Sequence, residues 1–297
     1  MKDFAPLIPE EFATVVTARP GGPAWLAALP DLVGDLLGRW ELRVDGPSRH
    51  GNVGVVIPVR SGGLPLALKV SRPSAEVDNQ IAALKAWDER GMVRLVAAEP
   101  LRGALLLERL DVDHSLDDTE LPAAVDIAAT LLRRLTVPAA PAVELPHLSD
   151  HVSGRPERWI AEWEELGRPL PRRLLDATIE ACLALAPDAG DHLVNHDLHY
   201  RNILAGTREP WLAIDPRGVL GDPEFALGPL LWNRFGGRDD MVARFRRCVD
   251  VAGLDSGKAR GWTMVRAVAY FLWATRVGLT WDPAACREIV DWLADSR

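Results

Sequence analysis

Between Trp40 and Leu110 the apolar positions come in short runs or alternate with polar ones, and Gly and Pro break the runs, which is the pattern of strands buried on one face. The runs are WELRVDG, GVVIPVR, LPLALKV, MVRLVAAE and ALLLERL. Gly62 and Gly63 lie between the second and the third, so a tight antiparallel hairpin is predicted there. From Ser74 to Trp87 the period changes: Ile81, Leu84 and Trp87 recur at helical spacing, and Ser74 is placed to cap the first turn.

Beyond Leu110 the periodicity becomes helical over residues 121–135, 157–166, 170–185, 239–251, 261–278 and 283–293. This switch predicts an α+β chain of two lobes. Residues 1–110 form a small N-terminal antiparallel sheet lobe with one helix, residues 111–297 a larger, mainly helical C-terminal lobe, and ERLDVDH is the connector. Two short apolar runs, HLVNHDLHYRNIL and PWLAIDPRG, interrupt the helical half.

The chain has 297 residues, 48% hydrophobic and 26% charged, enough to build a substantial core. Its formal charge of -8 comes from 42 acidic against 34 basic residues, with no Lys/Arg block to follow a phosphate backbone. Nucleic acid is thereby excluded as an expected partner, and a cationic small molecule suits the charge. The cysteines Cys182, Cys248 and Cys286 lack paired spacing and read as reduced core thiols. The opening MKDFAPLIPEEF has no continuous apolar stretch and no run is long enough to span a bilayer, so a cytoplasmic monomer without membrane contact is expected.

Candidate chemistry gathers in the two interrupting runs. Asp197 is followed five residues later by Asn202 in HDLHYRN, and Asp215 comes thirteen residues after that in AIDPRG. A loop holding the first two and a β-hairpin delivering the third bring two carboxylates and an amide oxygen to one place, a hard oxygen set of the kind Mg²⁺ prefers. Transfer of a phosphoryl group to an alcohol needs such a set, with a carboxylate to orient the hydroxyl and cationic or backbone donors around the triphosphate. The alternative is that all three are turn formers. Lys69 ends the apolar strand LPLALKV, and Gly46, Gly51 and Gly54 lie between two strands, where backbone can approach a phosphate. His199, two residues past Asp197, reads as a loop-ordering side chain.

HDLHYRNIL with REPWLAIDPRGVLGDPEF, together with RWELRVDG, LALKV, WDERGMVRLVAAE and ALLLERLD, resembles the aminoglycoside and hydroxyurea phosphotransferases. The likeness runs from about Trp25 to Trp273. It implies a two-lobed protein-kinase-like fold, ATP with magnesium as cofactors, and transfer to a hydroxyl of a small molecule, an aminoglycoside such as streptomycin. By that resemblance Asp197 is the catalytic residue, Asn202 and Asp215 hold the metal, and Lys69 grips the α and β phosphates. Gly51, Gly54, Glu108 and Leu110 contact the nucleotide, and Glu76 stands in for a lysine partner that is Gln80 here. Asn195, His196 and Ala226 depart from the family pattern, while Asp222 keeps it. Glu162, Glu165, Glu224, Asp239, Asp240 and Asp282 are candidate acceptor contacts through charge-assisted hydrogen bonds. Trp159, Trp163, Trp232, Trp262, Trp273 and Trp281 could stack on a ligand, although such residues at helical spacing are commonly core. A kinase of another hydroxylated metabolite and a catalytically weak nucleotide-binding relative are the other readings.

Overall fold

This computed structural model describes residues 4, 7–51 and 53–295, leaving Asn52 of the glycine-rich loop and the side chain of Trp281 outside the description. The chain divides into two compact units: one runs to Glu89 and resumes over Val93–Leu110, and the other takes Arg90–Met92 and the chain from Asp111 onward. Met92 was expected to open the fourth strand of the sheet unit. It instead forms a parallel bridge to Ala213 of the second unit, and the strand starts at Leu95.

The first unit contains helices α1 (Glu10–Thr17) and α2 (Gly22–Arg39), strands β1 (Arg43–Val44), β2 (Arg49–His50), β3 (Gly54–Ser61) and β4 (Leu64–Ser71), helix α3 (Ala75–Trp87), and strands β5 (Leu95–Glu99) and β6 (Ala104–Glu108). The sheet is antiparallel in the order β1-β3-β4-β6-β5, with β2 also on β3. Ser61 faces Leu64 across the predicted turn, and Gly62 and Gly63 both have positive φ, 53° and 89°, as a primed two-residue turn requires. Ser74 caps α3 by accepting the Val77 N–H at 3.4 Å.

Three helices, not one, belong to this unit. Phe12, Val16, Leu29, Val33 and Leu36 of α1 and α2 pack on Val55, Ile57, Val59, Leu66, Leu68 and Val70 of the sheet. Pro23 at the start of α2 and Pro30 within it blur the helical signature, since proline lacks the N–H of the regular ladder. Burial of each such side chain contributes about 1.5–3 kcal/mol, so packing holds α2 despite Pro30.

The second unit opens with strand β7 (Asp111–Ser115), which pairs with β9 where a plain connector was expected. Its sequence DVDHS carries no apolar face to announce a strand. Helices α4 (Leu121–Leu135), α5 (Leu148–Val152), α6 (Arg155–Glu165) and α7 (Arg172–Leu185) follow. The short strands β8 (His192–Asn195), β9 (Ile203–Ala205), β10 (Trp211–Ala213) and β11 (Gly218–Gly221) come next, then helices α8 (Gly228–Trp232), α9 (Arg238–Ala252), α10 (Ser256–Arg276) and α11 (Trp281–Asp295). Asp255 caps α10 by accepting the Lys258 N–H at 2.7 Å. The C-terminal end of α8 is held by the buried Arg244, which donates to the carbonyls of Leu230 (2.8 Å), Leu231 (3.0 Å) and Asn233 (3.0 Å) and pairs with Asp240 at 2.9 Å. The three cysteines are buried and free. Among the described residues no helix is long and apolar enough to cross a membrane.

Candidate active site

Two antiparallel ladders frame the site. On one side β8 pairs with β11, Asn195 opposite Gly218. On the other β9 pairs with β10, Ile203 opposite Ala213. Residues 196–202 therefore lie across from residues 214–217, and the first segment, being longer, loops out. Its ends are fastened by the His196 N–H donating to the Arg217 carbonyl (3.0 Å) and the Ile214 N–H donating to the Asn202 carbonyl (2.8 Å). This pairing brings Asp197, Asn202 and Asp215 onto facing loops of one unit, as the motif spacing predicts.

Each of the three is held by its neighbours. The amide Nδ2 of Asn202 donates to the Asp197 carbonyl at 3.1 Å, which leaves the Asn202 amide oxygen as the atom available to a ligand. Asp215 has φ 49°, a left-handed conformation that costs a non-glycine residue energy and is found where surrounding structure enforces it. The buried Asn195 accepts two N–H groups on its Oδ1, from Asp197 at 3.2 Å and from Arg217 at 3.1 Å. Arg217 also sets its guanidinium 3.5 Å from the Asp197 carboxylate.

Sequence reasoning missed Arg217 and, more consequentially, Arg266. The latter reaches from α10 to donate to the His196 carbonyl at 2.7 Å, with its other nitrogen 3.4 Å from the His196 ring. Its guanidinium lies over Phe225 (4.9 Å to the centroid) and Trp232 (5.7 Å). Burial pushes its pKa down to about 10, which leaves it cationic at neutral pH. Ala226 has no polar side-chain group to offer this loop, and the Arg266 cation grips the His196 carbonyl. The signal was present as a lone Arg between apolar Val265 and Ala267 in the middle of a buried helix.

His199 does not order the loop through its ring as expected: Nδ1 is buried without a partner, and burial lowers the ring's pKa against the opposing pull of Asp197, Asp117 and Asp215. Its backbone carbonyl orders the loop, accepting the Asn202 N–H at 2.9 Å.

Several acceptor candidates are engaged elsewhere. Glu224 is buried: one carboxylate oxygen accepts the Asp255 N–H at 2.8 Å, the other is buried without a partner, and burial raises its pKa. Glu224 thus belongs to the interior and is not presented to a ligand. Asp240 serves Arg244. Glu162 and Glu165 pair with Arg276 at 3.4 and 3.0 Å. Asp239 is exposed in the first turn of α9. Asp222 is buried, accepting from Lys258 at 2.7 Å and the Trp262 indole at 2.8 Å. Trp159, Trp163, Trp232 and Trp262 are core residues, while Trp273 is exposed.

In the first unit Lys69 is buried on the central strand β4, registered against Val56 and Leu105. Leu66, Leu68 and Val70 face the α1–α2 core, so alternation turns Lys69 to the other face of the sheet. On α3 the neutral Gln80 is buried and Glu76 is exposed. A Cβ on Gly54 would lie 2.2 Å from the Ser71 hydroxyl, so strand packing alone demands glycine there, whereas Gly51 faces open space. Glu108 pairs with Arg94 by backbone and side chain, each at 3.0 Å, and Leu110 is buried.

Among the described residues no group of three His, Cys, Asp or Glu side chains could hold a metal. The donor set nevertheless fits magnesium, because that ion commonly keeps waters and phosphate oxygens beside one or two protein oxygens.

A crystal structure of the aminoglycoside phosphotransferase APH(4)-Ia with ADP and hygromycin B matches this chain with a TM-score of 0.61 at 14% identity, over 89% of this chain and 97% of that one. The fold is therefore that of the protein-kinase-like phosphotransferases. Within that class the chain belongs to the aminoglycoside/hydroxyurea antibiotic resistance kinase family, whose sequence pattern matches residues 39–278. It is 40% identical to a streptomycin 6-kinase of Streptomyces glaucescens over 94% of both chains, and 41% identical to a hydroxyurea phosphotransferase of Kitasatospora aureofaciens over 91% of this chain and 81% of that one. It is a phosphotransferase that acts on a hydroxyl group.

Proposed function

We propose that this enzyme transfers the γ-phosphoryl group of ATP to a hydroxyl of a streptomycin-like aminoglycoside and so inactivates the antibiotic. The observation that carries the reading is the convergence of Asp197, Asn202 and Asp215 on facing loops, in a chain with near full-length likeness to a streptomycin 6-kinase. Asp197 orients the acceptor hydroxyl and receives its proton as the new oxygen–phosphorus bond forms and the bond to the β-phosphate oxygen breaks, releasing ADP. In a loose transition state of this kind positioning of the hydroxyl dominates and proton capture comes late. Asn202 and Asp215 would hold magnesium, which neutralises triphosphate charge when bound. Lys69 would pair with the α and β phosphates, and the Gly51 and Gly54 loop and the Glu108 to Leu110 segment would contact the nucleotide. The hydroxyurea phosphotransferase at similar identity favours a second reading, in which the acceptor is a smaller neutral hydroxylated molecule.

A coupled ADP-release assay over aminoglycosides, hydroxyurea and sugars, with phosphorylated product identified by mass spectrometry, decides between them. Streptomycin turnover dependent on Mg²⁺ supports the first reading. Turnover of hydroxyurea with none of streptomycin would replace it by the second.

A further inference from the structure

Along α10, Arg266, Tyr270, Trp273 and Val277 recur at helical spacing and share one face. The row is continuous in contacts as well as in spacing. The Arg266 guanidinium lies over the Trp232 ring, Trp232 stacks on Tyr270 at 4.9 Å with 9° between planes, and Tyr270 meets Trp273 at 5.3 Å. At its inner end Arg266 holds the His196 carbonyl, next to Asp197. At its outer end Trp273 is 51% exposed, the one exposed tryptophan among the described side chains. The row thus leads from the Asp197 loop to solvent within one unit.

Acid accompanies the aromatic surface. The Tyr270 hydroxyl donates to Asp282 Oδ2 at 2.8 Å. Burial, then that hydrogen bond and the Asp282 charge, push the phenol's pKa up, so Tyr270 stays a neutral donor to Asp282. Arg276, three residues beyond Trp273, is paired with Glu162 and Glu165, while Asp282 is the acid hydrogen-bonded to Tyr270.

We propose that Tyr270, Trp273 and Asp282 form an acceptor subsite that takes a guanidinium group of the substrate. The inference rests on the aminoglycoside reading above and names how such a substrate is held. A planar cation stacks on the Trp273 face, where the ring's quadrupole attracts it. Its N–H fork meets the Asp282 carboxylate in charge-assisted hydrogen bonds. Tyr270 keeps that carboxylate oriented and ties the subsite through Trp232 to Arg266 and the catalytic loop. A purely structural role for the Tyr270–Asp282 bond, as a tie between α10 and α11, predicts a loss of stability and no change in acceptor binding when it is cut.

The test is calorimetric titration of streptomycin, a guanidinium-bearing acceptor, into full-length protein as wild type and as Trp273→Ala, Trp273→Phe and Asp282→Asn, with thermal unfolding of each. Affinity should fall about tenfold or more in Trp273→Ala and Asp282→Asn, and by less than about threefold in Trp273→Phe, which keeps a ring to stack on. The KM for ATP should stay unchanged in all three. Binding equal to wild type in both Trp273→Ala and Asp282→Asn overturns the subsite, and so does the absence of any streptomycin binding by the wild type. Product analysis is read separately: streptomycin bound at this surface but never phosphorylated would refute the aminoglycoside kinase reading while leaving the subsite standing.

Discussion

Arg266 donates its Nη2 to the backbone carbonyl of His196 at 2.7 Å, so a side chain from the longest helix fixes the residue immediately before Asp197. The grip is positional, because Arg266 binds a loop carbonyl and not the Asp197 carboxylate.

Replacing Arg266 by Met should lower kcat about 10²-fold, the usual consequence of a reacting group displaced by about 1 Å. The KM for ATP should hardly move. Arg266→Lys should fall between the two, since an ammonium can reach the carbonyl but cannot present the same planar face to Phe225 and Trp232. Steady-state kinetics beside thermal unfolding checks this: a fall in kcat that merely tracks lost stability would argue against positioning.

Asp197→Asn should leave the fold intact while lowering kcat by about 10²–10⁴-fold, the range for loss of a general base. The carboxamide still fills the space beside Arg217 and the backbone bond to Asn195 is untouched. Nucleotide binding by the variant should match wild type, which isothermal titration with ATP and Mg²⁺ measures.

Glu224→Gln should leave acceptor KM unchanged and hold or raise the unfolding midpoint. Burial disfavours the charged carboxylate, one of whose oxygens is buried without a partner, and the amide removes that charge while its oxygen can still accept the Asp255 N–H. Glu224→Ala should destabilise by about 1–3 kcal/mol, because the Asp255 N–H loses its acceptor. A raised acceptor KM in Glu224→Gln would return this residue to the substrate pocket.

Stability should fall as the solution is acidified from pH 6.5 toward 4. Burial first, then Arg155 and Arg266, push the His151 pKa down to about 4, and the adjacent His196 is depressed in the same direction. The unfolded chain takes up these protons earlier than the folded one. The contribution is therefore fully present above pH 6.5 and disappears as pH drops through the folded pKa. His151→Phe, whose ring can keep the contacts with His196 and Phe225, should lose less stability than wild type between pH 7 and pH 5 in urea denaturation.

The strands on either side of Gly62 and Gly63, the capped helix after Ser74, and the helix over Leu121–Leu135 were legible because each has a clean period and a fitting terminal residue. The loop positions of Asp197, Asn202 and Asp215 were legible because motif spacing encodes the ladder register that opposes them. Helices α1 and α2 were not, since α1 is only eight residues long, Pro30 interrupts α2, and the sheet they cover is built from residues far along the chain. Neither was the fate of the acidic residues: Glu224, Asp240 and Glu162 look alike in sequence, and only the fold decides that one is buried and two face arginines. Strand β7 went unread for lack of apolar residues, and Arg266 because its carbonyl partner is seventy positions away.

The side-chain oxygen of Asn195 clasps the N–H groups of Asp197 and Arg217 together. An imidazole in that position could gain a proton in mildly acidic surroundings and surrender its lone pair, loosening both strand ends at once. A carboxamide has no such transition. The clasp consequently keeps the same strength across the physiological range, and its two hydrogen bonds add nothing to an acid limb in the turnover profile.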